Sequence, residues 1–186
     1  MNLNHYFKDI NQLLSQKNLV KEIENIKNNF LKTKKRGGKV IFFGNGGSAA
    51  TCNHVTVDLT KNAKLKSINY NDPSLITCFA NDYGYDKWIQ KTLEFYCDKK
   101  KDLAVFISVS GNSPNLVKAA NWCYSKKVPI VTLTGYSRRN KIKKINKNGI
   151  NIWIDSKSYN KVEILHHIIL LSIVDLIIGK TVYKPN

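Results

Sequence analysis

Val40-Ile41-Phe42-Phe43-Gly44-Asn45-Gly46-Gly47-Ser48 is a short apolar run followed directly by a glycine-rich loop. The apolar run is typical of a buried strand, and the pattern after the loop predicts a helix over residues 48–61. Glycines allow a positive φ and a close approach of the backbone. The start of a helix offers free N–H groups to an anion or a hydroxyl-rich ligand. Taken alone, the loop is explained equally well by a tight strand-to-helix turn.

Further apolar runs alternate with helical patterns along the chain. Strands are predicted over residues 75–79, 103–109, 130–133 and 150–154. Helices are predicted over residues 88–96, 114–125 and 160–178, and one long N-terminal helix, straight or bent, ends at Gly37-Gly38. This alternation predicts an α/β fold, a doubly wound parallel five-stranded sheet flanked by helices. In such sheets ligands bind outside the carboxyl ends of the strands, near the point where the strand order reverses.

The length of 186 residues, without a linker or an internal repeat, predicts a single domain over residues 1–186. Its N-terminal helical segment, residues 1–36, is expected to pack on the C-terminal helix. Both helices are apolar enough to contact another subunit, so a homo-oligomer is expected. The apolar run over residues 164–178 is shorter than the ~20 residues that span a bilayer, so no membrane association is expected.

The formal net charge of +17 and the pI of about 9.7 raise the question of a nucleic-acid partner. The lysines are scattered, however, and the basic residues 138–144 form only a short cluster without a stripe of aromatics. A solvated basic surface is therefore favoured over nucleic-acid binding. The four cysteines form no C-x-x-C pair, and the N-terminus lacks a signal-peptide pattern. Free thiols and a cytoplasmic location are predicted.

A second polar loop, Ser108-Val109-Ser110-Gly111-Asn112-Ser113-Pro114, lies between a predicted strand and a proline-started helix. Its hydroxyls and the helix-terminal N–H groups could hold a phosphate without any lysine. The simpler alternative is that Ser113 only caps the helix. No nucleotide cofactor is predicted, because Ala49 stands where a dinucleotide fingerprint needs its third glycine and no Walker lysine follows the first loop.

Two helices carry candidate acid–base or metal-binding side chains. His54 and Asp58 are spaced i,i+4 on the helix after the glycine loop, so they share one face. On the last helix, Glu163 precedes His166 and His167 by three and four positions. Either histidine can share the face of Glu163, but the two cannot point the same way, because adjacent positions lie about 100° apart.

Together these motifs resemble the sugar isomerase (SIS) domain family, and within it the phosphoheptose isomerases. The matching segments are Gly44 to Ala50, His54, Asp58-Leu59-Thr60, Asn81-Asp82-Tyr83-Gly84-Tyr85, Ser108 to Ser113 and Glu163-x-x-His166. The resemblance implies a flavodoxin-like doubly wound fold and homotetramers formed through the terminal helices. It implies conversion of sedoheptulose 7-phosphate to glycero-manno-heptose 7-phosphate for lipopolysaccharide or capsule. The substrate-binding residues that it implies are Asn45, Gly46, Gly47, Ser48, Asn81, Asp82, Ser108, Ser110 and Ser113.

The chain departs from the resembled isomerases at their catalytic centre. They carry a histidine, then a glutamate, then a glutamine and a second histidine on the last helix; the corresponding residues here are His54, Asp58, Glu163 and Leu171. In one interpretation the site is rebuilt. His54, Asp58 and Glu163 then hold zinc or another divalent ion, and the catalytic residues are Asp58, Glu163, His166 and His167.

In the other interpretation the domain binds a sugar phosphate or a protein partner without catalysis. A basic nucleic-acid-associated scaffold is a third hypothesis. The sequence favours the first, a sugar-phosphate isomerase that binds its substrate at the glycine and serine loops.

Overall fold

From residue 40 onward the chain alternates strands and helices in a computed structural model, which describes residues 2–182. The strands are β1 (Val40–Phe43), β2 (Ser67–Asn69), β3 (Leu103–Ser108), β4 (Ile130–Thr134) and β5 (Ile150–Trp153). The helices are α1 (Leu3–Leu14), α2 (Leu19–Lys35), α3 (Gly47–Lys61), α4 (Pro73–Tyr83), α5 (Trp88–Tyr96), α6 (Pro114–Ser125), α7 (Lys141–Ile145) and α8 (Tyr159–Ile178).

All the strands of the sheet are parallel, in the order β2-β1-β3-β4-β5. Strands β1 and β3 run side by side in register, with Val40 opposite Leu103 and Phe43 opposite Phe106. The strand order reverses between these two strands, so this is the point where doubly wound sheets bind ligands. The predicted doubly wound parallel sheet is confirmed, and the loops after β1 and β3 leave it at the same edge.

Alternate side chains of each central strand enter different halves of the core, as a sheet covered on both faces requires. From β1, Val40 and Phe42 pack with α2, α3 and α8, whereas Ile41 and Phe43 pack with α5 and α6. Every residue of β1 and β3 is buried. Each such Val, Leu, Ile or Phe contributes roughly 1.5–3 kcal/mol through burial, so the loops that leave β1 and β3 are held by the best-packed part of the sheet.

The strand predicted over residues 75–79 is wrong, because this segment lies inside α4. Asp72 caps the helix by accepting a hydrogen bond from the Leu75 N–H at 2.9 Å, and Pro73 occupies the first turn. Both residues are start signals of a helix, and a five-residue apolar run does not distinguish a strand from one face of a helix. The missing strand is β2, which pairs with β1.

The predicted single N-terminal helix is also wrong, because Ser15 to Asn18 separate α1 from α2 and Asn18 has a φ of 74°. The two helices nevertheless pack along the C-terminal helix. Ile26 and Phe30 of α2 share a core cluster with Ile169 of α8, and Lys161 at the start of α8 pairs with Asp9 of α1 at 2.5 Å. Helix α8 is thereby held against α1 and α2, on the same face of the sheet as α3.

Candidate active site

The glycine loop connects β1 to α3 with a backbone that only glycine adopts readily. Gly46 occupies the N-cap position of α3 with φ 55° and ψ −125°, and no side chain caps this helix. Gly47 begins the helix beneath another side chain, since a Cβ on Gly47 would lie 2.5 Å from Oε2 of Glu163. The loop therefore brings the start of α3 against the Glu163 carboxylate of α8.

The serine loop connects β3 to α6. The buried Ser108 Oγ accepts a hydrogen bond from the Gly111 N–H at 3.1 Å, and Ser110 Oγ accepts one from the Asn112 N–H at 3.2 Å. Ser113 occupies the N-cap position of α6 but makes no capping hydrogen bond. The alternative that Ser113 only caps its helix is therefore wrong, and its hydroxyl is available to a ligand.

The two loops and α8 enclose a small polar cavity of about 130 Å³. Six of its lining residues were predicted as site residues, namely Asn45, Ser48, Ser108, Ser110, Ser113 and Glu163. Neither lysine nor arginine lines this cavity. An anion there would be held mainly by hydroxyls, because at the start of α6 Pro114 has no N–H and the Leu116 N–H already donates to Asn115 Oδ1.

A reciprocal amide pair holds one wall of this cavity. Asn45 Nδ2 donates to Asn115 Oδ1 at 3.1 Å, and Asn115 Nδ2 donates to Asn45 Oδ1 at 3.0 Å. The buried Asn115 Oδ1 also accepts from the Leu116 N–H. Tyr85 approaches Asn45 Oδ1 at 3.4 Å. The glycine loop is thus tied to α6, and Asn45 has a fixed orientation.

A second group of polar side chains lies on the other side of Glu163. His54 Nδ1 and His167 Nε2 are 3.0 Å apart. The remaining nitrogen of His167 lies 3.2 Å from Thr51 Oγ1, and the remaining nitrogen of His54 lies 3.3 Å from Asp58 Oδ2. These four side chains form one row from the buried Thr51 to the partly buried Asp58.

The row borders an open cavity of about 420 Å³ with mostly apolar walls. Its lining residues are Gly47, Ala50, Thr51, His54, Glu163, Ile164, His167 and Ile168. Glu163 lines this cavity as well as the smaller polar one. The Glu163 carboxylate therefore lies between the smaller polar cavity and the histidines His54 and His167. The smaller cavity is called the serine cradle below, and the two histidines are called the imidazole pair.

The two adjacent histidines have different environments. Partial burial, together with the charge of His54, lowers the pKa of His167, and the Asp58 carboxylate opposes this shift. His166 is fully buried, its Nε2 lies 3.3 Å from the Thr134 carbonyl oxygen, and burial lowers its pKa to about 4. His166 is therefore a neutral core residue at neutral pH, and His167 is the histidine that shares the cavity with Glu163.

Three of the predicted substrate-binding residues, Gly46, Asn81 and Asp82, line neither cavity. Asn81 and Asp82 are exposed near the end of α4, where Asn81 Nδ2 donates to Asp82 Oδ1 at 3.0 Å. Leu171 packs against the core cluster beneath α8. The polar residues that the sequence interpretation missed are Thr51, Tyr85, Asn115 and Tyr159. Thr51 had a usable signal, since it lies three residues before His54 on the same helix face.

Residues 5–135, well over half of the chain, match the family model described as SIS domain. The chain belongs to the SIS domain family. Phosphoheptose isomerase from Colwellia psychrerythraea is 33% identical over 147 residues, which are 76% of this chain and 74% of that protein. The match to the family model includes the glycine and serine loops, and it ends before α8, which carries Glu163 and His167.

Two solved structures show that this SIS domain has the fold of its family. Phosphoheptose isomerase from Neisseria gonorrhoeae gives a TM-score of 0.85 at 24% identity, covering 94% of this chain and 97% of that chain. The Vibrio vulnificus NanR protein complexed with ManNAc-6P gives a TM-score of 0.61 at 14% identity, covering 86% of this chain and 54% of that chain. The same fold thus occurs in proteins with different names.

The side chains at the predicted metal site of this SIS domain do not fit a bound metal ion. Zinc in proteins is held by three or four protein ligands. Among residues 2–182, no group of three or more His, Cys, Asp or Glu side chains is arranged to hold a metal ion. All four nitrogens of the imidazole pair already face protein partners, and Leu171 has no donor atom. The predicted ligands His54, Asp58 and Glu163 are not gathered around one point.

No helix within residues 2–182 combines the length and the apolar character needed to cross a membrane. All four cysteines are free, and burial raises the pKa of the Cys52 and Cys123 thiols, so both are held as neutral thiols.

Proposed function

We propose that the protein is a sugar-phosphate aldose–ketose isomerase of the phosphoheptose type, acting on sedoheptulose 7-phosphate or a related ketose phosphate. The observation that carries this proposal is the position of Glu163 between the polar cradle and the imidazole pair. An isomerase of this kind has to hold a phosphate at one end of its substrate. At the other end it has to move protons between neighbouring carbons and oxygens.

The polar cradle suits the phosphate end of the substrate. It presents three serine hydroxyls and lies at the N-terminal end of α6, where the helix dipole favours an anion. The larger cavity suits the carbonyl end, because it combines apolar walls with titratable groups. Low polarity around such groups strengthens their electrostatic effect on a reacting carbonyl.

Sequence similarity to named relatives supports the same activity, since the phosphoheptose isomerase of Colwellia psychrerythraea aligns over about three quarters of the chain. We further propose that the protein works in the cytoplasm as a homo-oligomer, a tetramer or a dimer, in surface-polysaccharide synthesis. An apolar groove of about 550 Å³ between α2 and α8, lined by Val20, Ile23 and Leu176, supports contact between subunits.

Proton exchange in deuterated water tests this function. The protein is incubated with sedoheptulose 7-phosphate in D₂O and followed by NMR. We expect deuterium at the carbons next to the carbonyl and the appearance of an aldoheptose phosphate. If these proton signals stay unchanged after prolonged incubation while the protein still binds phosphate, the proposed isomerase function is refuted.

A second candidate is a sugar-phosphate-binding domain without catalysis. It is favoured by Leu171, which replaces a histidine of the resembled isomerases, and by the fold shared with NanR in its complex with ManNAc-6P. This candidate predicts that sedoheptulose 7-phosphate binds to the serine cradle without any exchange of its carbon-bound protons. The NMR experiment therefore separates the two candidates.

A further inference from the structure

Helix α8 contributes two side chains to the wall of the serine cradle, Tyr159 and Glu163. They are spaced i,i+4, so they lie on one face of the helix and about 6 Å apart along its axis. Tyr159 is the first residue of α8 and is 53% exposed, although it lines the cavity. Tyr159 therefore lies at the mouth of the cradle, one helical turn from the Glu163 carboxylate.

The serine loop forms another wall of the cradle, and its hydroxyls have few protons to donate. Ser108 and Ser110 each accept a hydrogen bond from a backbone N–H of their own loop, so each hydroxyl has one O–H left for a ligand. Ser113 and Ser48 line the same cavity and add one O–H each. A phosphate monoester presents three strongly accepting terminal oxygens, each with more than one lone pair. A further O–H donor at the mouth therefore has a free acceptor to meet.

The Glu163 carboxylate restricts where in the cradle a phosphate can lie. Two negative groups in one small cavity repel each other, and no lysine or arginine among residues 2–182 lines the cavity to offset this repulsion. The favoured position for the phosphate is the end remote from Glu163, which on α8 is the end formed by Tyr159. Glu163 also borders the larger cavity, so the carbon chain of the ligand extends from the Tyr159 end past Glu163.

The hydroxyl of Tyr159 is available to a ligand. The Tyr85 hydroxyl approaches Asn45 Oδ1 at 3.4 Å, whereas the Tyr159 hydroxyl forms no hydrogen bond with any residue from 2 to 182. The Tyr159 ring instead has an aromatic neighbour, since its centroid lies 6.0 Å from that of Tyr136 with the planes tilted by 55°. The ring is thus supported by an aromatic contact while its polar end remains without a partner.

The loop after β4 holds Tyr136 in this position. The Tyr136 N–H donates to the Ser156 carbonyl oxygen at 2.9 Å, and its φ is 53°. The preceding Gly135 packs closely on α8, because a Cβ there would lie 2.7 Å from Cγ1 of Val162. The loop after β4 and the start of α8 are therefore held together, and the Tyr159 ring has a fixed neighbour.

We propose that Tyr159 donates its phenolic O–H to the phosphate group of the substrate, at the end of the cradle remote from Glu163. This inference rests on the proposed function, in which the cradle receives the phosphate of a ketose phosphate. The phosphate does not react, so the Tyr159 contact is equally strong in the bound substrate and in the transition state. Its loss weakens binding and leaves the chemical step unchanged.

Tyr159→Phe tests this inference because it removes only the hydroxyl. Inorganic phosphate is titrated calorimetrically at about 0.2 M NaCl, which screens the exposed lysines of the surface. We expect the variant to bind phosphate at least about 10-fold more weakly than the wild type, as for the loss of a hydrogen bond to a charged group. With sedoheptulose 7-phosphate, KM should rise by a similar factor while kcat stays within about twofold of the wild type.

Tyr136→Phe is the matched control. It removes a hydroxyl from the neighbouring ring, which does not line the cradle, so wild-type affinity and KM are expected. Tyr159→Ala separates the hydroxyl from the ring. If the hydroxyl is the phosphate ligand, Tyr159→Phe already shows most of the loss seen in Tyr159→Ala. Weak binding in Tyr159→Ala together with wild-type affinity in Tyr159→Phe would instead show that only the ring matters, and would overturn the inference.

The outcomes separate this inference from the function on which it rests. Wild-type phosphate affinity in Tyr159→Phe refutes the inference, whether or not the protein isomerises a sugar phosphate. A wild type that binds phosphate but exchanges no carbon-bound protons refutes the isomerase function, while the phosphate titrations still decide the role of Tyr159. A wild type that binds no phosphate refutes the inference together with the cradle. An equal loss in Tyr159→Phe and Tyr136→Phe also refutes it.

Discussion

Replacement of Gly47 by alanine is expected to damage activity without damaging the fold. A Cβ on Gly47 would lie 2.5 Å from Glu163 Oε2 and 2.7 Å from both Cδ and Oε1. Ordinary contacts begin at about 3.4 Å, so the carboxylate has to retreat by roughly 0.9 Å. A flexible glutamate side chain can do this at little cost. A displacement of about 1 Å at a reacting group lowers the rate on the order of 100-fold.

The stability of the Gly47→Ala variant is expected to stay level or to rise by up to about 1 kcal/mol, because Gly47 is already helical and alanine favours a helix. Gly46→Ala is the matched neighbour, since nothing lies within 4 Å of its added Cβ but its φ is 55°. That variant should lose about 1–3 kcal/mol through backbone strain.

Steady-state kinetics with sedoheptulose 7-phosphate and urea unfolding measure the two effects separately. We expect Gly47→Ala to lose kcat with an unfolding midpoint equal to or above that of the wild type, and Gly46→Ala to lose stability. Full kcat in Gly47→Ala would refute the reasoning, because the position of the Glu163 carboxylate would then not matter to the reaction.

Three further predictions follow from particular contacts. Ser113→Ala should weaken binding of inorganic phosphate by about 1.5–3 kcal/mol, as for the loss of a hydrogen bond to a charged group. The unfolding midpoint should stay unchanged, because Ser113 makes no capping hydrogen bond. An unchanged affinity in a phosphate titration would show that Ser113 is not part of the cradle. Asn115→Ala should lower the free energy of unfolding by about 1–3 kcal/mol in urea, because Asn45 loses its reciprocal partner in a buried wall; a wild-type midpoint would show that the amide pair contributes nothing. His166→Leu should reduce the acid sensitivity of folding. The pKa of His166 is lowered from 6.5 to about 4 by burial, so the wild type has its full stability above pH 6.5 and loses on the order of 3 kcal/mol as the pH falls towards 4; parallel curves of stability against pH for the two proteins would contradict this.

Most of the sheet could be predicted from local patterns because its central strands are continuous apolar runs. Residues 40–43, 103–108 and 130–134 are buried on both faces, and this burial is what the runs indicate. The prediction of a strand over residues 75–79 was wrong because a short apolar run also suits one face of a helix. The correct second strand, β2, is a half-buried edge strand with a polar residue at each end, so it gives no apolar signal.

The oxygen-rich part of the candidate site was also accessible from the sequence. Asn45, Ser48, Ser108, Ser110 and Ser113 follow the ends of two strands, and parallel strands bring such ends to one edge. Asn81 and Asp82 were assigned from resemblance, and the chain leaves them exposed on α4, away from both cavities. Thr51 and Asn115 were missed because a threonine or an asparagine inside a helix has no distinctive local pattern.

The sequence by itself determined a parallel α/β sheet, two polar loops at strand ends and a set of acid–base residues on two helices. Each of these depends on residues close together in the chain. Only the tertiary structure decided which histidine shares a cavity with Glu163, because His166 and His167 both fit the helical spacing. Helix α8 packs with His166 against the Thr134 carbonyl, which turns His167 towards His54. That rotation is set by the packing of α8 on the whole core, which no local pattern records.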